Sequence, residues 1–528
     1  MKKKTGRRVF QKLIAAVALI CTLVGTTMGS MTAQADTIIP HDTQTTGTLT
    51  LNKTDSNEDP LEGAEFTLYK IMSLTPGDDV GKYANYEVVS HFAGALTGVT
   101  PDILGNYSAA EIEAKTNELL QLTGSATQQY KVISPATGTD GKAIIPDLEL
   151  GYYMVVETVT PAGYVAGSPF FIAIPSTNNY DTTNQTPEVG TEWVYEVEAD
   201  VKNAEVPFEK NIEKENNTLA GSDTVTIGDN VKYLVQTTIP NYADEYFGSD
   251  GTVIFKIKDT MSEGLLFNDD IEVTVGGIVI AEDTTSVNGN TSWKHTADNT
   301  GYVLEFGTSF IKEHRGELVE VRYSAKVTDK AVIGVDGNTN KAILEFSNNP
   351  QNLCETDKKQ DDTIVFTFAV AVEKFAGTEY LANAVFALYS DAECTQKVLD
   401  DLTTGTDGII TFERVAAGTY YLKEIQSPEG YKLLTNPIKV EIIATVGSDG
   451  EFDGGFELYV DDQEVTVTSG ILITRYEYDA GLSIIAVENQ KGFTLPKTGG
   501  MGIVALLITG LCGIAILSIV MLKKRQKE

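Results

Sequence analysis

Apolar and polar residues alternate along most of the chain, and the alternating stretches are rich in Thr, Val, Ile and Tyr. This two-residue period predicts β-strands, because successive side chains of a strand point to opposite faces of the sheet. Gly, Asp and Asn interrupt the stretches as turns do. The pattern therefore predicts an all-β protein built from antiparallel β-sandwiches. One helix is also expected, from the capping-box residue Ser108 to about Leu122.

Two parts of the chain repeat one pattern. Residues 51–53 and 63–69 align with residues 372–374 and 383–389, and Thr-Gly-Thr-Asp-Gly occurs at both 137–141 and 404–408. Residues 151–158 align with 418–425, and both copies continue to Pro-x-Gly-Tyr. The repeat predicts two domains of one type around a different one. We place the first module at 36–204, with an insertion near 72–130, the middle module at 205–362 and the third module at 363–494.

The first 35 residues are typical of a secretory signal peptide. A basic start precedes an apolar run at residues 13–24, and the segment ends in the cleavage pattern Ala33-Gln34-Ala35. The apolar run is short for a membrane span. An N-terminal anchor helix is the alternative interpretation.

The other end of the chain, residues 495–528, combines three features in a fixed order. Leu495, Pro496, Lys497, Thr498 and Gly499 come first, and residues 501–522 follow as an apolar stretch without charge. The stretch is long enough to span a membrane, and a basic tail follows it. The arrangement resembles a sortase sorting signal of the LPxTG type, in which the enzyme cleaves between Thr498 and Gly499. An ordinary single-span membrane protein is the alternative.

The balance of charges limits the possible partners. The chain has 40 basic and 74 acidic residues, a formal net charge of −34. Such acidity argues against nucleic acid and anionic lipid as partners. Four histidines occur, and none lies in a nucleophile or zinc pattern, so neither an enzyme nor a metal or cofactor site is expected. Cys354 and Cys394, in the predicted exported part, could form a disulfide or remain free thiols.

Three lysines occupy positions where an apolar side chain is expected. Lys53, Lys210 and Lys374 each alternate with apolar residues of a predicted strand, so each should point inward. Glu157 and Glu424 also alternate with apolar residues. An unpaired buried charge is unfavourable, so the lysines should be neutral or paired.

An asparagine follows a strand near each domain end, in the pattern apolar-x-Asn. These residues are Asn203, Asn348 and Asn489. A buried amine, carboxamide and carboxylic acid can react, because burial favours the nucleophilic neutral amine and the protonated acid. The product is a Lys–Asn isopeptide bond within one domain. A buried Lys–Glu ion pair, with Asn only as a turn residue, is the alternative.

The segments around Glu157 and Glu424 resemble the E-box of Gram-positive pilins, Tyr-x-Leu-x-Glu-Thr-x-Ala-Pro-x-Gly-Tyr. The resemblance implies that the flanking modules are immunoglobulin-like collagen-adhesin B-type domains and the middle one an A-type domain, in which Asp259 takes the acid's place. It implies three bonds, which are Lys53–Asn203 assisted by Glu157, Lys210–Asn348 assisted by Asp259, and Lys374–Asn489 assisted by Glu424. Asn340 and Asn349 lie close to Asn348 and remain alternatives.

Residues 193–203 resemble the pilin motif, Trp-x-x-x-Val-x-Val-Tyr-Pro-Lys. Trp193, Val197 and Lys202 match, whereas residues 199–201 depart from it. Lys202 has the opposite parity to Val201, so its side chain should point outward. A solvated surface lysine is the alternative.

The resemblance implies that Lys202 attacks the Thr498 acyl-enzyme of the next subunit. A head-to-tail fibre of identical subunits would result, a shaft that supports adhesion. The implied partners are pilus-specific and housekeeping sortases, minor tip and base pilins, peptidoglycan and an unidentified host receptor. The chain would be a sortase substrate and not an enzyme, anchored to the cell wall in a surface pilus. A monomeric wall-anchored adhesin is the competing hypothesis, and Lys202 distinguishes the two.

Overall fold

A computed structural model of the protein describes residues 44–76, 83–177, 193–248, 252–283, 292–334, 336–354, 356–446, 452–464 and 482–491. The predicted signal peptide and the whole sorting segment, with its apolar stretch at 501–522, lie outside these ranges. Within them, none of the helices combines the length and apolar character needed to cross a membrane.

The chain divides into two compact units. One consists of Met1–Gly221, Asn230–Lys326 and Thr339–Thr363, and the other of Ser222–Asp229, Val327–Asn338 and Ile364–Glu528. The first unit holds the first module and most of the middle module, and the second holds the third module. The predicted three-module boundaries remain predictions, and the module names are kept below for those segments.

The first module is a sandwich of strands with a helical insertion. Its strands are β1 (Thr46–Thr54), β2 (Glu65–Pro76), β3 (Tyr83–Val88), β4 (Lys131–Ile133), β5 (Lys142–Glu149), β6 (Gly151–Val159), β7 (Tyr164–Val165), β8 (Phe170–Ile174), β9 (Ser176–Thr177), β10 (Trp193–Val194), β11 (Glu196–Lys202) and β12 (Ala204–Glu205). One sheet has the order β11-β1-β5 and the other β3-β2-β6-β8, with β4 paired to β2. Between them lies an apolar core that includes Leu49, Phe66 and Val155.

The insertion forms helices α1 (Pro101–Gly105) and α2 (Ala109–Thr123) and two short 3-10 turns, Ser90–Phe92 and Gln128–Tyr130. The Ser108 side chain accepts the N–H of Glu111, and the Glu111 carboxylate accepts the N–H of Ser108, which confirms the predicted capping box. Leu119 of α2 packs with Phe92 and Met154 in a second apolar cluster. The insertion therefore covers the outer face of the sheet that contains β6.

The described residues of the third module repeat the strand pattern of the first and contain no helix. Its strands are β26 (Phe368–Ala376), β27 (Glu379–Tyr380), β28 (Val385–Tyr389), β29 (Leu402–Thr403), β30 (Ile409–Val415), β31 (Gly418–Gln426), β32 (Ile438–Val446), β33 (Phe452–Val460), β34 (Gln463–Glu464) and β35 (Leu482–Glu488). Strand β26 lies between β30 and β35, as β1 lies between β5 and β11. The second sheet has the order β29-β28-β31-β32-β33-β34. The same pairing pattern therefore underlies both copies of the sequence repeat.

The middle module has two larger sheets. Its strands are β13 (Phe208–Glu213), β14 (Leu219–Ala220), β15 (Ser222–Thr224), β16 (Asn230–Thr238), β17 (Phe255–Met261), β18 (Leu265–Phe267), β19 (Glu272–Val275), β20 (Ile278–Ile280), β21 (Trp293–Asp298), β22 (Gly301–Phe306), β23 (Leu318–Val327), β24 (Asn338–Ser347) and β25 (Thr356–Phe366). The sheets run β14-β13-β16-β23-β19-β20 and β15-β25-β24-β17-β22-β21. Helix α3 (Thr308–Glu313) and a 3-10 turn at Asp244–Phe247 complete it. The strand-dominated structure confirms the all-β fold class.

The turn before β30 brings a glycine against the lysine strand. Gly408 has a φ of +72°, and a Cβ at this position would lie 2.5 Å from the Lys374 carbonyl oxygen. The Gly408 carbonyl oxygen accepts the N–H of Lys374 at 2.8 Å. Gly141 holds the same position beside Lys53, with a φ of +73°. The glycine of each Thr-Gly-Thr-Asp-Gly turn therefore lets the chain pass close to the buried lysine.

Replacing Gly408 with Ala should destabilise the third module by about 2–5 kcal/mol, because left-handed strain adds to a backbone clash. Gly377→Ala is the matched control, since Gly377 has a φ of +62° but open space around it, and it should cost only about 1–2 kcal/mol. Thermal and urea unfolding of the exported chain would measure both. Equal losses in the two variants would show that the close approach contributes nothing.

Candidate cross-linking sites

The strand registers place each flanking lysine beside its asparagine. Strand β1 runs parallel to β11 with Lys53 opposite Val201, and β26 runs parallel to β35 with Lys374 opposite Val487. Asn203 and Asn489 each follow two residues later. On a parallel neighbour, a residue two positions further along presents its side chain to the same face. The amine and the carboxamide of each module therefore meet inside the sandwich.

The acidic side chain of each flanking module lies on the opposite sheet. Glu157 on β6 faces Phe66 of β2, and Glu424 on β31 faces Phe386 of β28. A register shift follows each of these pairs, so each glutamate lies at a β-bulge. Bulges commonly re-aim a side chain. Here each carboxylate reaches across the core to the lysine strand.

In the first module the three polar groups form a closed ring. The Lys53 Nζ donates to Glu157 Oε2 at 2.8 Å and to Asn203 Oδ1 at 2.6 Å, and Asn203 Nδ2 donates to Glu157 Oε1 at 2.7 Å. All three residues are at most 5% exposed. The Lys53 amine also lies 5.5 Å from the centre of the Phe66 ring. One carboxyl group thus contacts both the amine and the amide nitrogen.

The third module has the same arrangement with one additional contact. Lys374 Nζ donates to Asn489 Oδ1 at 2.7 Å and lies 3.5 Å from Glu424 Oε1, which accepts Asn489 Nδ2 at 3.1 Å. The second oxygen of Glu424 accepts the backbone N–H of Leu434 at 2.7 Å. The Lys374 side chain is fully buried. The Glu424 carboxylate is therefore held by a backbone group of the same module.

Burial shifts the pKa of the lysines in the two flanking modules. It lowers the pKa of Lys53, and the nearby Glu157 carboxylate only partly opposes the shift. Burial likewise lowers the pKa of Lys374 against the attraction of Glu424. A lowered pKa increases the fraction of neutral amine, which is the nucleophilic form.

In the middle module, the buried lysine has a different set of partners. Lys210 on β13 donates to Asp259 Oδ2 and to the Tyr323 hydroxyl, and that hydroxyl donates to Asp259 Oδ2 at 2.6 Å. The Lys210 amine lies 5.0 Å from the ring centres of both Tyr233 and Tyr323. Burial lowers the pKa of Lys210 and raises the pKa of Asp259, so both neutral forms are favoured. The sequence analysis missed Tyr323, although its alternation with Val319 and Val321 indicates an inward side chain.

The asparagine beside this pair is Asn340 and not Asn348. Asn340 is fully buried, pairs with Met261 two residues beyond Asp259, and donates Nδ2 to the Tyr323 hydroxyl at 3.2 Å. Asn348 lies eight residues further along, about 26 Å at the usual rise per residue of a strand. The structure favours Asn340, one of the alternatives, over Asn348, because the apolar-x-Asn pattern marks the end of β24, whereas Asp259 pairs near the beginning of that strand.

Two atoms of the middle site lack hydrogen-bond partners within the described part of the chain. They are Asp259 Oδ1 and Asn340 Oδ1, both buried. An unpaired buried acceptor is unfavourable. Protonation of Asp259 would relieve this, because it turns one of the buried acceptors into a donor.

Lys202 has the environment expected of an accessible amine. It ends β11, and its side chain is 53% exposed, whereas Asn203 beside it is buried. The nearest acidic partner is Glu58, with 3.5 Å between Lys202 Nζ and Glu58 Oε1. The two neighbouring residues therefore serve opposite faces of the strand.

The remaining expectations concern cysteines and metals. Cys354 and Cys394 are both free thiols, so the structure has the free-thiol alternative. Across the described ranges, no group of His, Cys, Asp and Glu side chains has a geometry that could hold a metal ion. The sorting motif, residues 495–499, lies outside the described residues.

Residues 47–186 and 369–451 match a family model described as "SpaA: Prealbumin-like fold domain". These two stretches, which lie within the first and third modules, are therefore similar to the SpaA prealbumin-like domain. Its homologues and structural neighbours include fimbrial subunits and major pilins of Gram-positive pili, so the resemblance to that class of protein is confirmed.

Particular relatives give the extent of the similarity. The trypsin-resistant surface T6 protein of Streptococcus pyogenes serotype M6 is 31% identical over 237 residues, which cover 41% of this chain and 42% of that protein. The type 2 fimbrial subunit of Actinomyces naeslundii is 24% identical over 99% of this chain and 97% of its own. The solved T6 backbone pilin of S. pyogenes has a TM-score of 0.57 at 20% identity, covering 85% of this chain and 99% of that one. This last likeness establishes the shared fold.

Removing one member of the middle site should be more harmful than removing both charges. Asp259→Ala leaves Lys210 without its carboxylate, and we expect a loss of about 3–5 kcal/mol. Both variants are made in an Asn340→Ala chain, which cannot form the predicted cross-link and is the reference for the loss. The double variant Lys210→Met, Asp259→Leu should recover most of this loss, because it leaves no polar group unpaired in the core. Hydrogen exchange of the β13 and β16 amides would measure both. A double variant as unstable as the single one would mean that packing, and not charge, determines the loss.

Proposed function

We propose that this chain is the structural shaft subunit of a covalent cell-surface pilus, strengthened by internal Lys–Asn isopeptide bonds. The observation that carries the proposal is the recurrence of a fully buried lysine with an acid and an asparagine in each module. Three such clusters are difficult to explain as ion pairs, because burial penalises every charge. The relationship to fimbrial subunits supports the same assignment.

The proposed bond formation in the first module can be written atom by atom. The neutral Nζ of Lys53 attacks Cγ of Asn203, and the Nζ–Cγ bond forms as the Cγ–Nδ2 bond breaks. Glu157 Oε2 accepts a proton from Nζ, and Oε1, which faces Nδ2, supplies the proton that lets the nitrogen leave as ammonia. Each protein molecule does this once per module, so the reaction is self-processing and not enzymatic turnover.

The middle module would use Asp259 in the role of Glu157. Its carboxyl group, whose pKa is raised by burial, would polarise the Asn340 carboxamide in its protonated form, and Tyr323 would relay the proton from Lys210. The third module would link Lys374 to Asn489 with Glu424 as the acid. Such cross-links tie the first strand of a module to its last or near-last strand. A pulling force along the chain would therefore not reach the core strands.

Polymerisation would use the sorting motif and Lys202. A sortase would cleave after Thr498, and the exposed amine of Lys202 in the next subunit would take the acyl group. The result is an open head-to-tail fibre. The cell wall would be its final attachment point, through a housekeeping sortase, with minor pilins at the tip and base.

The intact mass of the chain from Asp36 to Thr498, produced without a sortase, should fall short by three ammonias. Asn340→Ala should restore one ammonia, and Asn348→Ala, its matched control in the same strand region, should restore none. Peptide mapping would locate each link. An unshifted mass would contradict the cross-links and leave three buried ion pairs.

In the producing cell, Lys202→Arg should abolish the ladder of high-mass species that survives boiling in detergent, because the guanidinium is not a nucleophile at physiological pH. Lys142→Arg is the control, since Lys142 is an exposed lysine on β5 of the same sheet. Immunoblots of cell-wall extracts would report both. A wild-type chain that stays monomeric on the wall would instead favour a wall-anchored adhesin.

A further inference from the structure

The loop that follows β24, residues 348–351, reaches from the middle module to the first. The Asn348 carbonyl oxygen accepts the N–H of Ala166 at 2.9 Å and the hydroxyl of Tyr246 at 2.7 Å. Tyr246 is fully buried, and its ring centre lies 4.6 Å from that of Tyr242. We call residues 348–351 the docking loop.

Asn349 makes the contact that concerns the first cross-linking site. Its Nδ2 donates to the backbone carbonyl oxygen of Glu157 at 3.2 Å and to Thr160 Oγ1 at 3.2 Å. Its Oδ1 accepts the N–H of Gln351 at 2.9 Å, which fixes the direction of the amide. Asn349 is only 7% exposed. A residue of the middle module is thus bonded to the backbone of the acid in the first.

The bonded carbonyl lies at the bulge of β6. Phe66 pairs with Glu157 and Glu65 with Val159, so Thr158 is the additional residue of the bulged strand. A bulge locally disrupts the ladder of backbone hydrogen bonds and determines where the side chain points. The peptide group after Glu157 therefore controls the aim of its carboxylate, and Asn349 binds that group.

The third module holds its acid in a different way. There the Glu424 carboxylate accepts the N–H of Leu434, which belongs to the same module. In the first module, both Glu157 oxygens are engaged by the reacting groups Lys53 and Asn203. In the first module, the hydrogen bond from Asn349 to the Glu157 backbone therefore takes the place that the Leu434–Glu424 hydrogen bond has in the third.

We propose that Asn349 is a positioning residue for the Lys53–Asn203 bond, so that the first module closes its cross-link faster once the docking loop of the middle module has folded against it. The inference rests on the proposed function, since it presumes that this bond forms. It favours an order of cross-linking, because Asn349 helps to aim Glu157 only once the middle module has folded. The first module would close its cross-link about fivefold more slowly in a chain whose middle module is unfolded.

The test uses the exported full chain and measures each cross-link separately by peptide mapping. Asn349→Asp keeps the acceptor for Gln351 but loses the donor to Glu157, and we expect the rate of the first cross-link to fall about fivefold, as for one lost hydrogen bond of ordinary strength. The third cross-link in the same molecules should form at its usual rate and serves as the internal reference. Gln351→Ala, an exposed side chain of the docking loop, is the matched control.

A pH series separates positioning from general support. At about pH 4 the carboxyl group that Asn349→Asp introduces is partly protonated and can donate again, so this variant should recover relative to Asn349→Ala, which has no donor at any pH. Dividing the rate of the Asn349→Asp variant by that of the Asn349→Ala variant at each pH removes the effects of pH that the two variants share. The expected result is a ratio of rates that rises as the pH falls.

Each remaining outcome contradicts the inference in a distinct way. If the first cross-link forms in the wild type and forms at the same rate in Asn349→Asp, the positioning role is overturned and the proposed function stays intact. Loss of all three cross-links in Asn349→Asp would show a general folding role instead. A wild-type chain without the first cross-link would overturn the proposed bond itself and, with it, this inference.

Discussion

A lysine amine inside an apolar sandwich is the constraint around which each module is arranged. Leaving it charged and alone would be strongly unfavourable, so an acid and a carboxamide must be brought to it from other strands. Lys53 and Lys374 meet this demand with the same set of partners, and even their aromatic neighbours, Phe66 and Phe386, correspond. The strand order of each flanking module brings these three groups together.

Two architectures satisfy the same requirement. In the flanking modules, the parallel pairing of the first and last strands delivers the asparagine, and the bulged strand of the other sheet delivers the acid. In the middle module, a tyrosine hydroxyl stands between the lysine and the asparagine, and the acid lies on a strand adjacent to that of the asparagine. The shared feature is desolvation, which favours the neutral forms of Lys210 and Asp259 and lowers the pKa of all three lysines.

Strand periodicity also places the amine for the proposed link between subunits next to the carboxamide for the proposed link within the module. Lys202 and Asn203 are consecutive, yet one points into solvent and the other into the core. In the proposed fibre, the bond between subunits and the bond within the module would therefore leave from the same end of β11. Force entering through Lys202 would pass directly to the cross-linked β1. The docking loop of the middle module braces the acid of that same site.

Period-two alternation was sufficient to predict the all-β class and the inward lysines, and the capping box was sufficient to predict the helix that begins after Ser108, because these features depend on neighbours close in sequence. The tandem resemblance to pilins was also readable from local motifs. Only the tertiary structure decided which asparagine faces Lys210, since apolar-x-Asn occurs wherever a strand ends and carries no information on register. Tyr323 and the Asn349 contact belong to the same category. Such pairings join residues more than 100 positions apart, and their distance is set by sheet packing and not by spacing in the chain.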